Sequence, residues 1–195
     1  TYSTLNLREY RVEYDHMDSS YDATEMSAGL SHAFNQQWQG NVEGGVTQVR
    51  PDFVGAAKNT DTLNPLVNAG LVYSPSPRTR FSGDFGYSYK PSDESGYGGQ
   101  TVAELRFGAQ HDITAKLMAK ATARFAKIDK DEADKQTALP ISKQDDRMDI
   151  DLRLSYKLNR INFIELGMRH SERTSDGGSD WKQNVVDIGW RVELN

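Results

Sequence analysis

The stretch 185–194, VVDIGWRVEL, sets Val186, Ile188, Trp190, Val192 and Leu194 on one side of an extended chain and Val185, Asp187, Gly189, Arg191 and Glu193 on the other. One side suits lipid and the other suits water. A strand packed against a second sheet shows the same alternation. The fold is therefore decided by how often the pattern recurs.

It recurs along the whole chain. Ile164, Leu166 and Met168 oppose Phe163, Glu165, Gly167 and Arg169, and Met148, Ile150, Leu152, Leu154 and Tyr156 oppose Asp149, Asp151, Arg153 and Ser155. Leu117, Ala119, Ala121, Ala123 and Phe125 oppose Lys116, Lys120, Thr122 and Arg124, while Ala103, Leu105, Phe107 and Ala109 oppose Glu104, Arg106 and Gln110. Phe81, Phe85, Tyr87 and Tyr89 oppose Arg80, Ser82, Asp84 and Ser88, and Trp38, Val42 and Val46 oppose Gln39, Asn41 and Glu43. Three further segments carry the pattern less fully: Met26, Ala28 and Leu30 against Glu25 and Ser27; Val67, Ala69 and Leu71 against Asn68; and Tyr10, Val12 and Tyr14 against Glu9, Arg11 and Glu13. These segments predict ten strands in an all-β fold, a single closed antiparallel transmembrane β-barrel occupying residues 1–195 as one domain.

The connections alternate in length, as hairpins on the two sides of a membrane do. Asn35 to Gln37, Ser74 to Arg78, His111 to Thr114 and Lys157 to Arg160 are short, and are expected on the periplasmic side. Asp18 to Asp22, Pro51 to Thr62, Pro91 to Gly99, Lys127 to Arg147 and Glu172 to Lys182 are longer and polar, and are expected outside the cell. An even strand count then puts both chain ends on the periplasmic side.

A hydrophobic content of 36% and a mean hydropathy of -0.71 would pass for a water-soluble protein, and no run approaches the ~18 apolar residues of a transmembrane helix. A barrel escapes that test because only alternate residues meet lipid. The chain has no cysteine, which excludes a disulfide framework and thiolate chemistry. Thr1 begins no leader peptide, as expected of numbering that starts at or near a mature terminus. A net charge of -5 offers no basic surface for nucleic acid.

In architecture the chain resembles bacterial outer-membrane β-barrel proteins, small porin-like barrels, over essentially its full length. The resemblance implies an outer-membrane location in a Gram-negative-type bacterium, with outer-membrane lipid around it and no cofactor or metal. Such barrels usually end in an alternating strand with a terminal aromatic. Trp190, Val192 and Leu194 match the alternation, and Asn195 departs from it, which leaves a trimmed terminus open.

The candidate functional feature is a charged lumen. On the first half of the inward face it comprises Glu9, Arg11, Glu13, Glu25, Glu43, Arg80 and Asp84, continuing with Glu104, Arg106, Lys116, Lys120 and Arg124. Asp149, Asp151, Arg153, Glu165, Arg169, Asp187 and Arg191 complete it. Acids and bases nearly balance. A lumen of about ten strands is only a little wider than one that side chains fill, and buried charges need partners. The balance therefore favours a narrow or plugged lumen over an open small-solute conduit.

Two enzyme readings compete with it. Ten strands also resemble the omptin surface proteases, for which Asp149, Asp151 and His170 are the candidates. Arg169, His170 and Ser171 resemble the lipid A deacylases, although there the histidine and serine are one position apart. Geometry favours neither. Asp15, His16 and Asp18 read as a solvated rim, and the acidic segment from Asp129 to Asp134 lacks the spacing of a calcium loop. A docking or adhesin role, with an envelope protein as partner, would fall to the loop Lys127 to Arg147 with Pro140 and Ile141.

Overall fold

Each amphipathic repeat is a strand, and each strand pairs antiparallel with the next one in sequence, because short turns leave consecutive segments side by side. The structure, a computed structural model, describes residues 1–14, 19–53, 62–90, 97–132, 144–176 and 178–193. The strands are β1 (Tyr2–Tyr14), β2 (Ser19–Ala33), β3 (Trp38–Phe53), β4 (Thr62–Ser76) and β5 (Thr79–Lys90). They continue with β6 (Tyr97–Asp112), β7 (Leu117–Glu132), β8 (Gln144–Lys157), β9 (Asn162–Ser175) and β10 (Trp181–Val192). They form one sheet in the order β1 to β10, and the outer strands β1 and β10 have no further strand partner among the described residues.

The sheet has an apolar and a polar face. Across β6 to β10 the apolar face runs in rows such as Ala109, Ala121, Leu152, Met168 and Val186, fixed by the strand registers. Its side chains are bare: Leu5 is 80% exposed and Ile188 is 79% exposed. Water does not tolerate so wide an apolar surface, and lipid does. On β8 the apolar run from Met148 to Tyr156 spans roughly 27 Å along the strand. At the short-turn end, Trp38 stacks on Tyr73 with ring centroids 4.2 Å apart, and Trp190 donates its indole N–H to Asn162 at 3.0 Å. Aromatic rings with one polar tip suit a membrane interface.

Beyond this belt, toward the long connections, the alternation inverts. Past Phe125 on β7, Ala126 and Ile128 (both 5% exposed) point to the polar face, while Lys127 and Asp129 point to the other. On β1, Tyr10 and Val12 pack against the buried Ala23 and Val49. The best-buried apolar residues thus gather at the long-connection end of the polar face.

This inversion corrects the sequence reading of β1. Leu5 and Leu7 pair with Ala28 and Met26, so Glu9, Arg11 and Glu13 fall across from Thr24, Asp22 and Ser20 on the apolar side. They are not on the polar face. The alternation of Tyr10 and Val12 is real but belongs to the inverted zone, and a one-residue change of phase exchanges every side chain between faces.

The long connections also need correction, because the strands run into them. β7 and β8 pair out to Asp129 and Gln144 inside the predicted loop Lys127 to Arg147, and β9 and β10 pair out to Arg173 and Trp181. Backbone pairing continues where the lipid-facing pattern has ended. Asp15, His16, Asp18, Pro140 and Ile141 lie outside the described residues.

Candidate functional site

The polar face carries charge chiefly on β5 to β10. Along β6, β7 and β8, residues two apart share this face, so Glu104 and Arg106, Arg124, and Asp149 and Asp151 are gathered in neighbouring rows. Arg124 reaches Glu104 at 2.6 Å and Asp149 at 3.3 Å, and Arg106 pairs with the same Glu104. Arg169 of β9 holds Asp151 at 3.1 Å. Glu165 bridges Arg191 at 2.8 Å and Arg153 at 3.5 Å, and the Arg191 guanidinium lies 4.3 Å from the Phe163 ring centroid. Except for Arg106 and Glu104, which are neighbours on β6, these are charge-assisted contacts between adjacent strands, which fix side-chain direction as well as adding energy.

The neighbouring half of the sheet is different. Glu43 on β3 meets no cation among the described residues. It accepts hydrogen bonds from Ser27 at 2.6 Å, Asn6 at 3.0 Å and Asn68 at 3.1 Å. Around it the polar face is built from small groups, and Gly45 marks the tightest approach: a Cβ there would lie 2.3 Å from the Met26 carbonyl oxygen. Glu25 is also on this face, across from Thr47.

A cavity of about 820 Å³ opens on the charged part. Its lining comes from six consecutive strands, from Ser82 and Asp84 on β5 to Gln183 and Val185 on β10, with Lys120, Arg124, Arg153 and Arg169 between them. Six strands can border one cavity only where the sheet curls around its polar face. The feature is thus a curved, charged trough backed by a lipid-facing surface.

The family model described as "Putative beta-barrel porin 2" matches residues 2–194. The chain belongs to this family. Among solved structures it is similar to the outer membrane channel DcaP of Acinetobacter baumannii, with a TM-score of 0.63 and 11% sequence identity. That match covers 94% of this chain and 61% of that one, so the chain spans about three-fifths of the channel's length. No curated protein matches the chain. The family and the shared fold make the ten-stranded antiparallel sheet a porin-like β-barrel sheet, as the strand pattern predicted, with no pairing between β1 and β10 among the described residues.

The sequence missed one cluster on the polar face of this porin-family sheet. Asp145 of β8, with 0% side-chain exposure, receives Lys130 of β7 at 3.0 Å and Arg173 of β9 at 2.7 Å. Arg147 approaches it at 3.7 Å, and Ser175 donates its hydroxyl to it. All of them, Ser175 included, are same-face neighbours once β7 and β8 are extended past Lys127 and Arg147 and β9 is extended past Glu172. The signal was the buried Ile128 between Lys127 and Asp129.

The residues of the protease reading are not assembled. Ile150, not Asp149 or Asp151, is the register partner of His170, so the histidine faces away from both aspartates. It contacts Asn184 at 2.7 Å and Glu172 at 3.7 Å on the outer side. Ser171 points to the polar face, opposite to His170, so the deacylase pairing is absent from the described residues as well. At the upper edge of the lipid-facing belt, in the row that ends it at Met148, Lys182 bonds Glu172 at 2.8 Å. That bond holds the Glu172 carboxyl below the usual carboxylate range and raises the Lys182 ammonium.

Proposed function

We propose that the protein is a porin-like conduit for small solutes in the outer membrane of a Gram-negative-type bacterium, with the polar face as its pore lining. One observation carries this reading: the charged face keeps an open cavity of about 820 Å³ between six strands, where a packed interior would fill it. Family membership supports it. Outer-membrane lipid covers the opposite face, and any envelope partner would meet the long-connection end.

The ion pairs favour a second reading, a lumen narrowed or plugged by Arg124, Glu104 and Asp149. Single-channel recording in a planar bilayer separates the two. A steady conductance whose ion preference changes in Arg124→Ala and Arg153→Ala supports the conduit. Silence from a demonstrably inserted barrel supports the plug, and would move the search for function to the loops.

A further inference from the structure

The strand registers place Arg80 of β5 opposite Gln110 of β6, Gln110 opposite Lys120 of β7, and Lys120 opposite Arg153 of β8. Three cations and an amide donor thus form one rung across four adjacent strands. At about 4.8 Å per strand, Arg80 and Lys120 stand roughly 10 Å apart at their backbones, a span that two long side chains close around one small ligand. All three of Arg80, Gln110 and Lys120 are exposed.

The rung differs from the rows above it. There Arg124 and Arg169 are neutralised by Glu104, Asp149 and Asp151. Arg80 and Lys120 form no ion pair or hydrogen bond through their side chains among the described residues. Arg153 touches Glu165 at only 3.5 Å. Immediately above stand Ser82, Gly108 and Thr122, which add two hydroxyls, and the row ends on β8 at Asp151, whose carboxylate is held by Arg169. At the far end of the rung the Asp187 carboxylate lies over Gly167, beyond Arg153. It bounds the cationic stretch rather than pairing with it.

We infer that Arg80, Gln110, Lys120 and Arg153 form a binding subsite for an oxyanion of a small solute, a phosphate or carboxylate group. The inference rests on the polar face being the pore lining. Arginine and lysine together suit such a group, one by its planar fork and the other as a point charge. An anion held there is attracted by Arg80 and Lys120, which no described carboxylate neutralises, yet stays open to solvent, so that it can leave.

Calorimetric titration of the detergent-solubilised protein with inorganic phosphate, and separately with acetate, tests this at low salt. At least one anion should bind, and the tighter of the two names the source of the oxyanion. The double variant Arg80→Gln with Lys120→Gln should bind about tenfold more weakly or worse, Lys120→Arg should keep most of the affinity, and Lys127→Gln on the opposite face should keep all of it. Both positions are exposed, and heat-dependent gel migration confirms that the variant is folded. Absence of binding by the parent protein, or equal affinity in the folded double variant, overturns the subsite. In planar bilayers the bound anion should depress chloride current in the parent and not in the double variant. An inserted parent that conducts nothing, while the calorimetric difference persists, defeats the conduit reading and supports the subsite.

Discussion

Arg106 and Arg124 stand directly opposite one another on β6 and β7, and the single carboxylate of Glu104 bonds both. Two like charges in register would repel. Glu104 faces the small Ala126 across the strand pair, which leaves its carboxylate room to reach diagonally to Arg124.

Replacing Glu104 by Gln should therefore expose that repulsion. Glu104 is 16% exposed and Arg124 is 38% exposed at their side chains, so solvent screens part of the effect. A loss of about 1–2 kcal/mol is expected, read as a lower urea midpoint for the folded band on unheated gels. Restoring the midpoint by adding Arg106→Gln would show that the two guanidinium groups are the cause.

The Asp145 cluster should be far more sensitive. Its carboxylate and the Lys130 ammonium are 0% and 1% exposed, and Arg173 shares the same oxygen. Asp145→Asn removes the carboxylate charge that the buried Lys130 and the half-buried Arg173 share, which costs about 3–5 kcal/mol. Thermal unfolding in detergent should fall sharply for Asp145→Asn and much less for Asp151→Asn, whose partner Arg169 is 56% exposed. Equal losses would mean that burial is not what sets the cost.

The inversion of the alternation predicts where lipid ends. Leu152 lies within the apolar belt on β8, whereas Asp129 lies on the same face of the sheet beyond it, past Lys127 on β7. An arginine at Leu152 should destabilise the inserted barrel by about 2–4 kcal/mol, and one at Asp129 by about 0–1 kcal/mol. Reversible unfolding from lipid vesicles measures both, and comparable costs would remove the proposed boundary.

That boundary also explains how far the sequence could be read. Within the belt, a single rule, apolar out and polar in, identifies β2 to β10 and places Glu104, Arg124, Asp149 and Arg169 on one face. Beyond the belt the rule reverses, because water lies outside and the buried Val49, Val102 and Ile128 face inward. Reading β1 from Tyr10 and Val12 imported the wrong phase into Glu9, Arg11 and Glu13. Reading Lys127 to Arg147 and Glu172 to Lys182 as loops hid Lys130, Asp145 and Arg173. Which cations stay unpaired could not be read from a list of charges, because it depends on register and reach: Lys120 and Arg124 are two pleat repeats apart on one face, yet only Arg124 bonds carboxylates.

The rim pair of Glu172 and Lys182 gives a pH signature at the belt's upper edge. The Lys182 bond lowers the Glu172 pKa from its ordinary value, so the unfolded chain binds the proton more readily than the folded one. The contribution of the pair is then fully present above the ordinary carboxylate pKa, and fades as pH falls through the lowered value. Carboxyl-carbon NMR should show Glu172 titrating below an unpaired surface glutamate, and Lys182→Met should return it toward the ordinary range. An unchanged Glu172 titration in that variant would assign the shift to another neighbour, His170 being the one within 3.7 Å.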